Sequence, residues 1–206
     1  LNMAKSRKTW MQEHVSDEFV KRAQSDGWRS RASFKLIEII QKYSLVSRGS
    51  VVVDLGAAPG GWSQVITREL GGDGVVVALD LLEMAPLPGV TFIQGDFQDS
   101  GVEEQLTGAL GGRLADLVIS DMAPNISGVK VLDQSRWLNL AELALDFAVS
   151  HMKVDGHLVV KCFEGVGSDE FKSQVQQYFK RTQRFKPKAS RDRSSEFFLV
   201  GLNKIK

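Results

Sequence analysis

The 206-residue sequence predicts an α/β domain, a doubly wound and mostly parallel sheet with one antiparallel strand near the C-terminus. Three observations predict it. The stretch VVVDLGAAPGGWSQ (residues 51–64) reads as a buried strand, a turn of small residues and the start of a helix. Strand and helix patterns then alternate over about 150 residues, as successive parallel strands with crossover helices require. Last, an apolar run starting at Phe185 and another over 196–202 have too short a connection for a crossover helix, so they read as a hairpin.

Taken in order, residues 13–25 have helical spacing, with Val15, Phe19, Val20 and Ala23 apolar. Ser16 is an alternative start, because Ser-Asp-Glu makes a good first turn, and Gly27 ends the helix. Residues 30–43 form a second helix with a basic face at Arg29, Arg31 and Lys35. Strands follow at 51–55, 75–79 (ending at Asp80), 90–94, 116–120 and 156–163. Helices fall from Trp62, over 102–110, over 133–151 and over 168–179, the last capped by Ser168. Segments 127–130 and 188–195 are the most loop-like.

Composition is that of an ordinary globular chain, with 43% hydrophobic and 25% charged residues. One cysteine, Cys162, excludes an internal disulfide and a cysteine-built metal site. No apolar run is long enough for a span and no signal core is evident, so a cytoplasmic protein with no membrane partner is expected. The net charge of +1 conceals an asymmetry. Residues 1–35 carry eight Lys/Arg against four Asp/Glu, residues 36–179 nine against nineteen, and residues 180–193 seven against one. The basic ends read either as solvated surface or as two parts of one face gripping a polyanion, with Trp10, Trp28, Phe34 and Phe185 available for stacking.

The turn at 56–61 combines Gly56, Gly60 and Gly61 with Ala57, Ala58 and Pro59, so a ligand can lie against bare backbone before a helix N-terminus. Its spacing departs from the G-x-G-x-x-G dinucleotide fingerprint and lacks the Lys-Ser/Thr of a triphosphate loop. Asp54 at the strand end disfavours phosphate and can accept from an ammonium or water, which fits S-adenosylmethionine. Acidic residues recur at the predicted carboxyl ends: Asp54, Asp80, Asp96 and Asp121. Asp80 follows the glycines by about 20 residues, where a carboxylate takes ribose hydroxyls; its alternative is a cap or turn. Asp96 reads an adenine amino group or closes a turn, and Trp62 walls the site or packs in the core.

Lys161 stands inside the apolar run HLVVKCF. A charged, unpaired lysine in a central strand costs several kcal/mol, so it needs a partner or a lowered pKa, unless it snorkels at the strand's end. Alternation puts Cys162 on the opposite face, in the core. With Lys35 on the second helix, Asp121 ending one strand and Glu196 opening another, two lysines and two carboxylates can share a network that holds one lysine neutral. A neutral lysine suits the deprotonation of a sugar hydroxyl. His14, His151 and His157 lack metal-ligand or triad spacing, so no metal is expected, and His151 and His157 read as surface residues. The DMAP segment lacks the N-P-P-Y pattern of amino methylation and the Pro-Cys nucleophile of base-carbon methylation, which leaves an oxygen acceptor.

VVVDLGAAPGGWSQ, SDMAPNISG (120–128), LVVKCFEG (158–165) and SRASFKL (30–36), extended by SRDRSSE (190–196), together resemble the FtsJ (RrmJ) family of ribosomal RNA methyltransferases. The resemblance covers about residues 10–202. It implies one Rossmann-like, S-adenosylmethionine-dependent methyltransferase domain over 1–206, with 1–45 a basic helical extension contributing to RNA binding and 46–206 the catalytic core. It implies methylation of a ribose 2′-oxygen, in bacterial members on a uridine of the 23S rRNA A-loop in the large ribosomal subunit. The family's Lys-Asp-Lys-Glu tetrad falls on Lys35, Asp121, Lys161 and Glu196. In that tetrad Lys161 is the base, Asp121 and Glu196 set its charge state, and Lys35 places the ribose. The family's cofactor contacts fall on Gly60, Trp62, Asp80, Asp96 and Asp121. The rival readings are a transfer-RNA or mRNA-cap methyltransferase, and a non-catalytic RNA-binding module. A basic face without long heptads favours a monomer.

Overall fold

The computed structural model describes residues 17–206. Among them one sheet runs in the order β3-β2-β1-β4-β5-β7-β6. The strands are β1 (Val51–Leu55), β2 (Val75–Asp80), β3 (Val90–Gln94), β4 (Ala115–Ser120), β5 (Met152–Phe163), β6 (Phe179–Phe185) and β7 (Glu196–Lys204). The helices are α1 (Glu18–Ser25), α2 (Ala32–Tyr43), α3 (Gly61–Leu70), α4 (Ser100–Leu110), α5 (Lys130–His151) and α6 (Ser168–Gln176). Strands β1 to β5 pair in parallel. β7 is antiparallel to both of its neighbours, β5 and β6, so it is the one reversed strand. The predicted fold class is the observed one.

The central strands are buried on both faces, which is why they read as mostly apolar runs. Alternation sorts their side chains into two cores. Val51, Val53 and Leu55 pack with Leu106 of α4, Trp137 and Ala144 of α5 and Phe171 of α6. Val52 packs on the other face with Leu36 and Ile39 of α2 and Ile66 of α3. Trp137 is fully buried, and its indole N–H donates to the Lys161 carbonyl at 3.0 Å, anchoring the strand that carries the lysine. Truncating such a side chain to alanine costs about 3–5 kcal/mol.

Several boundaries differ from the sequence reading. α5 starts at Lys130 rather than 133, and β5 follows it directly at Met152 rather than starting at 156. The junction is stabilised by Lys204, whose ammonium donates to the carbonyls of Val149 (2.6 Å) and Met152 (2.8 Å). A cation there satisfies helix-end carbonyls and complements the dipole. α6 ends at Gln176, and Phe179, predicted as helix, opens β6. Phe185 closes that strand instead of beginning one. The reason is that FKRTQRF is an edge strand with one buried residue, so it carries charge where a central strand carries an apolar run. Gly167, not Ser168, is the N-cap of α6. Asp17 caps α1 by accepting from the Phe19 N–H at 3.0 Å. Trp10, His14, Val15 and Ser16 lie outside the described residues.

The two described histidines are half-buried rather than surface residues. His151 lies 3.0 Å from Glu103 and against the Phe147 ring. His157 sits in β5, where its Nδ1 accepts from the Asn203 N–H at 3.2 Å, and burial lowers its pKa.

Candidate active site

An open pocket of about 830 Å³ lies beyond the carboxyl ends of the first four strands. Asp80, Asp96 and Asp121, which end or follow β2, β3 and β4, all line it. So do Gly56 and Ala58 of the small-residue turn. Gly56 has φ +77°, and a Cβ there would stand 2.8 Å from the Met122 side chain, so only glycine keeps the turn this close to the loop after β4. The Asp80 carboxylate is fixed from both sides: Oδ2 accepts from the Ala58 N–H at 2.9 Å and Oδ1 from the Leu82 N–H at 2.8 Å. Each oxygen keeps a further lone pair for a ligand. Asp96 accepts from the Gln98 N–H at 2.9 Å while facing the pocket, so it closes a turn and lines the site at once.

Asp54, Trp62 and Gly60 are placed differently from the expectation. Asp54 is wholly buried and faces the core side of the turn, where Oδ2 accepts from the Ser63 hydroxyl at 2.6 Å. Burial pushes its pKa up to about 7; the Ser63 bond opposes this and the nearby Asp121 and Asp80 charges reinforce it. The Trp62 indole does not wall the pocket. It is buried, its N–H donates to the Ala32 carbonyl at 2.8 Å, and its ring centroid is 5.5 Å from that of Phe198. What Trp62 can offer a ligand is a main-chain N–H in the first turn of α3. Gly60 is the N-cap of that helix and is absent from the pocket lining.

The four polar residues singled out at strand and helix positions come together. Lys161 Nζ lies 3.0 Å from Asp121 Oδ1 and donates to the Asp121 carbonyl at 2.6 Å. Lys35 Nζ lies 2.6 Å from Glu196 Oε1, which also accepts from the Ser190 hydroxyl at 2.9 Å. In the β5–β7 register Lys161 pairs with Phe198 and Phe163 with Glu196, so Lys161 and Glu196 are diagonal neighbours on one face. Burial alone would raise the Glu196 carboxyl. The charges of Lys35 and Lys161, with bonds from Lys35 and Ser190, outweigh it and hold the pKa below the ordinary carboxylate value. The two ion pairs are therefore one electrostatic unit. Cys162, on the opposite face, is buried in the core, and burial pushes its thiol pKa up.

This pairing of a nucleoside-sized pocket with a largely buried two-lysine, two-carboxylate cluster coincides with a family match. The model of the FtsJ-like methyltransferases matches residues 28–204. The chain belongs to the FtsJ-like methyltransferase family. A protein named "Ribosomal RNA large subunit methyltransferase E" from Acinetobacter baylyi is 52% identical over 204 residues, covering 99% of this chain and 94% of that protein. One of the same name from Methylobacillus flagellatus is 53% identical over 197 residues, covering 96% and 95%. Among solved structures, one described as a ribosomal RNA methyltransferase from Plasmodium falciparum matches with a TM-score of 0.78 and 28% identity, over 86% of this chain and 99% of that one.

Sequence reasoning missed other residues of this FtsJ-like site. Arg136, with Ser135 and Asn139, lines the pocket from α5 and is the only Lys or Arg in the lining among the described residues. Its signal was a basic residue among pocket-side polar positions of the helix after β4. Glu38 of α2 accepts from the N–H groups of Lys188 (2.8 Å) and Ala189 (2.9 Å), and Arg31 bonds Asp17 and the Ala189 carbonyl. These contacts clasp the described part of the N-terminal basic region to the basic loop after β6; no local pattern announces them. Among the described residues no group of three or more His, Cys, Asp or Glu side chains could hold a metal ion. Among the same residues no helix is long and apolar enough to cross a membrane.

Proposed function

We propose that this chain transfers a methyl group from S-adenosylmethionine to a ribose 2′-hydroxyl of large-subunit ribosomal RNA, with Lys161 as the general base. The observation that carries the reading is the largely buried cluster of the Lys161–Asp121 and Lys35–Glu196 pairs, which adjoins the pocket through Asp121. The large-subunit substrate follows the names of the relatives; a uridine of the 23S A-loop as the acceptor rests on the resemblance alone.

The pocket fits the donor in size and chemistry. About 830 Å³ is within the usual range for cofactor sites. Three carboxylates and one arginine in the lining favour hydroxyls and amines over a polyphosphate. When bound, S-adenosylmethionine supplies a methyl carbon already activated by its sulfonium. The protein's own share is then positioning and the removal of one proton. Asp80 accepts the ribose hydroxyls of the donor, Asp96 its adenine amino group, and the backbone at Gly60 and Trp62 its amino-acid end. Lys161 takes the 2′-hydroxyl proton. Asp121 and Glu196 compensate the ammonium so formed, and Lys35 holds the acceptor ribose. The clasped basic segments offer the RNA a cationic face, and a monomer in the cytoplasm is the matching form.

The test is mapping of ribose methylation in ribosomal RNA from cells lacking this protein, followed by labelling of their large subunits with purified protein and donor. One missing 2′-O-methyl group, restored in vitro, is the expected result. An unchanged methylation map overturns the reading.

A further inference from the structure

Arg29 lies in the link between α1 and α2, six residues before Lys35. Its guanidinium donates to three main-chain carbonyls: Ala85 at 2.6 Å, Pro86 at 2.7 Å and Pro59 at 3.2 Å. Those carbonyls belong to two segments, the small-residue turn and the loop between β2 and β3. No described carboxylate forms an ion pair with this guanidinium, so the group acts here as a planar fork of donors. The link itself is held by α3: the Arg29 N–H donates to Gln64 Oε1 at 3.0 Å, and Gln64 Nε2 donates to the Gly27 carbonyl at 2.8 Å. Gly60 gives the fork its room, since a Cβ there would stand 2.8 Å from Arg29 Nη1.

Asp80 stands between the two strapped segments. One of its oxygens is held by Ala58 in the turn and the other by Leu82 in the loop. Any relative movement of turn and loop therefore turns the carboxylate. We infer that Arg29 is a positioning residue of the donor site, strapping the turn to the loop from outside so that Asp80 meets the donor's ribose preorganised. The inference rests on the functional reading above. Arg29 touches no reacting atom, so its loss acts on donor affinity and leaves the methyl-transfer step itself intact.

The test is calorimetric titration of S-adenosylhomocysteine into wild type, Arg29→Ala and Arg29→Lys, with a thermal melt of each and KM and kcat for the donor. Arg29→Ala is expected to bind about tenfold more weakly and to raise the donor KM by the same factor, with kcat at saturating donor within about threefold of wild type. Arg29→Lys falls between, because an ammonium cannot span three carbonyls in one plane. Guanidinium ion added to Arg29→Ala restores part of the affinity. Wild type that binds while Arg29→Ala binds within about twofold of it overturns the inference alone, as does a fall in kcat with unchanged affinity. Wild type that fails to bind overturns the functional reading and the inference with it. Should Arg29→Ala not fold, Arg29→Lys decides: wild-type affinity in that variant overturns the inference.

Discussion

Asp54 and Glu196 are buried to a similar degree, 0% and 8% exposed, at two ends of the same functional region, and they are driven in opposite directions. Burial raises the pKa of both. Behind the donor turn, Asp54 has a serine hydroxyl for company and two further carboxylates in range, and it is pushed up to about 7. In the cluster of two lysines and two carboxylates, Glu196 has Lys35 at 2.6 Å and the charge of Lys161 as well, and it is held down. The lesson is that neighbours, not burial, decide which part of this sheet stays ionic. On the proposed reading, the donor half tolerates a neutralised acid, while the acceptor half holds Glu196 ionised beside the lysine proposed to take the proton.

The sharpest way to break this contrast is to remove the proposed base, Lys161. Lys161→Ala is expected to lower turnover about 10²–10⁴-fold, the share of a general base, while donor affinity changes less than about twofold. Single-turnover methyl transfer to large subunits and calorimetry with S-adenosylhomocysteine read the two quantities separately. A loss of donor affinity as severe as the loss of turnover means Lys161 serves the donor pocket, and the division into two halves is wrong.

Next is the pair that holds Glu196 down. Lys35→Met leaves a buried carboxylate short of one cation, which costs up to about 3–5 kcal/mol when a buried pair is broken on one side. The pH dependence has a definite sign. The folded pKa of Glu196 is lowered from 4.5, so its stabilising contribution is present above that value and is lost as pH falls through the folded pKa. Denaturant melts from pH 3 to 7 are expected to show this acid-side loss in wild type and a smaller one in Lys35→Met.

Asp54 gives the mirror image. Its folded pKa is raised from 3.8 to about 7, so between those values the native state holds a proton that the unfolded state has released. Stability therefore falls as pH rises across that window, by at most about 4 kcal/mol at about 1.4 kcal/mol per unit. Asp54→Asn, which cannot ionise, is expected to flatten that slope. If wild type and Asp54→Asn keep parallel stability profiles from pH 4 to 8, the carboxyl is not held neutral by its surroundings.

These contrasts were only partly visible in the chain itself. Lys161 was legible because one charge interrupts HLVVKCF, and a buried strand cannot leave such a group unpaired. The parallel pairing of β1 to β5 was legible from the alternation of strand and helix, and one reversed strand from the short link between the last two, though not that β7 is the one. β6 was not legible in its bounds, because an edge strand that carries Lys180, Arg181 and Arg184 lacks the pattern that marks a central one. Asp54 and Asp80 both end as polar groups beside glycine turns, and no local rule says that one faces Ser63 and the other the pocket. Which way a strand-end carboxylate points depends on the helix packed behind it. Arg29 was equally hidden: its three acceptors are main-chain carbonyls 30 to 57 residues away, and carbonyls leave no mark in a sequence.

The smallest expected effect separates distance from surroundings. Lys180 Nζ lies 2.7 Å from Asp155 Oδ1, nearly the separation of Lys35 from Glu196, but these side chains are 58% and 60% exposed where Lys35 and Glu196 are 13% and 10%. Water and salt screen an exposed pair, and two long side chains lose rotamer freedom to form it. A double-mutant cycle of Lys180→Met with Asp155→Asn is expected to couple by less than about 1 kcal/mol and to weaken further in 1 M salt. Asparagine is the right replacement because residue 155 has φ +64°, a conformation that asparagine tolerates and alanine does not. The matching cycle on Lys35 and Glu196 is expected to couple more strongly and to resist salt. Equal coupling in the two cycles would mean that separation alone sets the strength of a pair here, and the opposite fates of Asp54 and Glu196 would then need another cause.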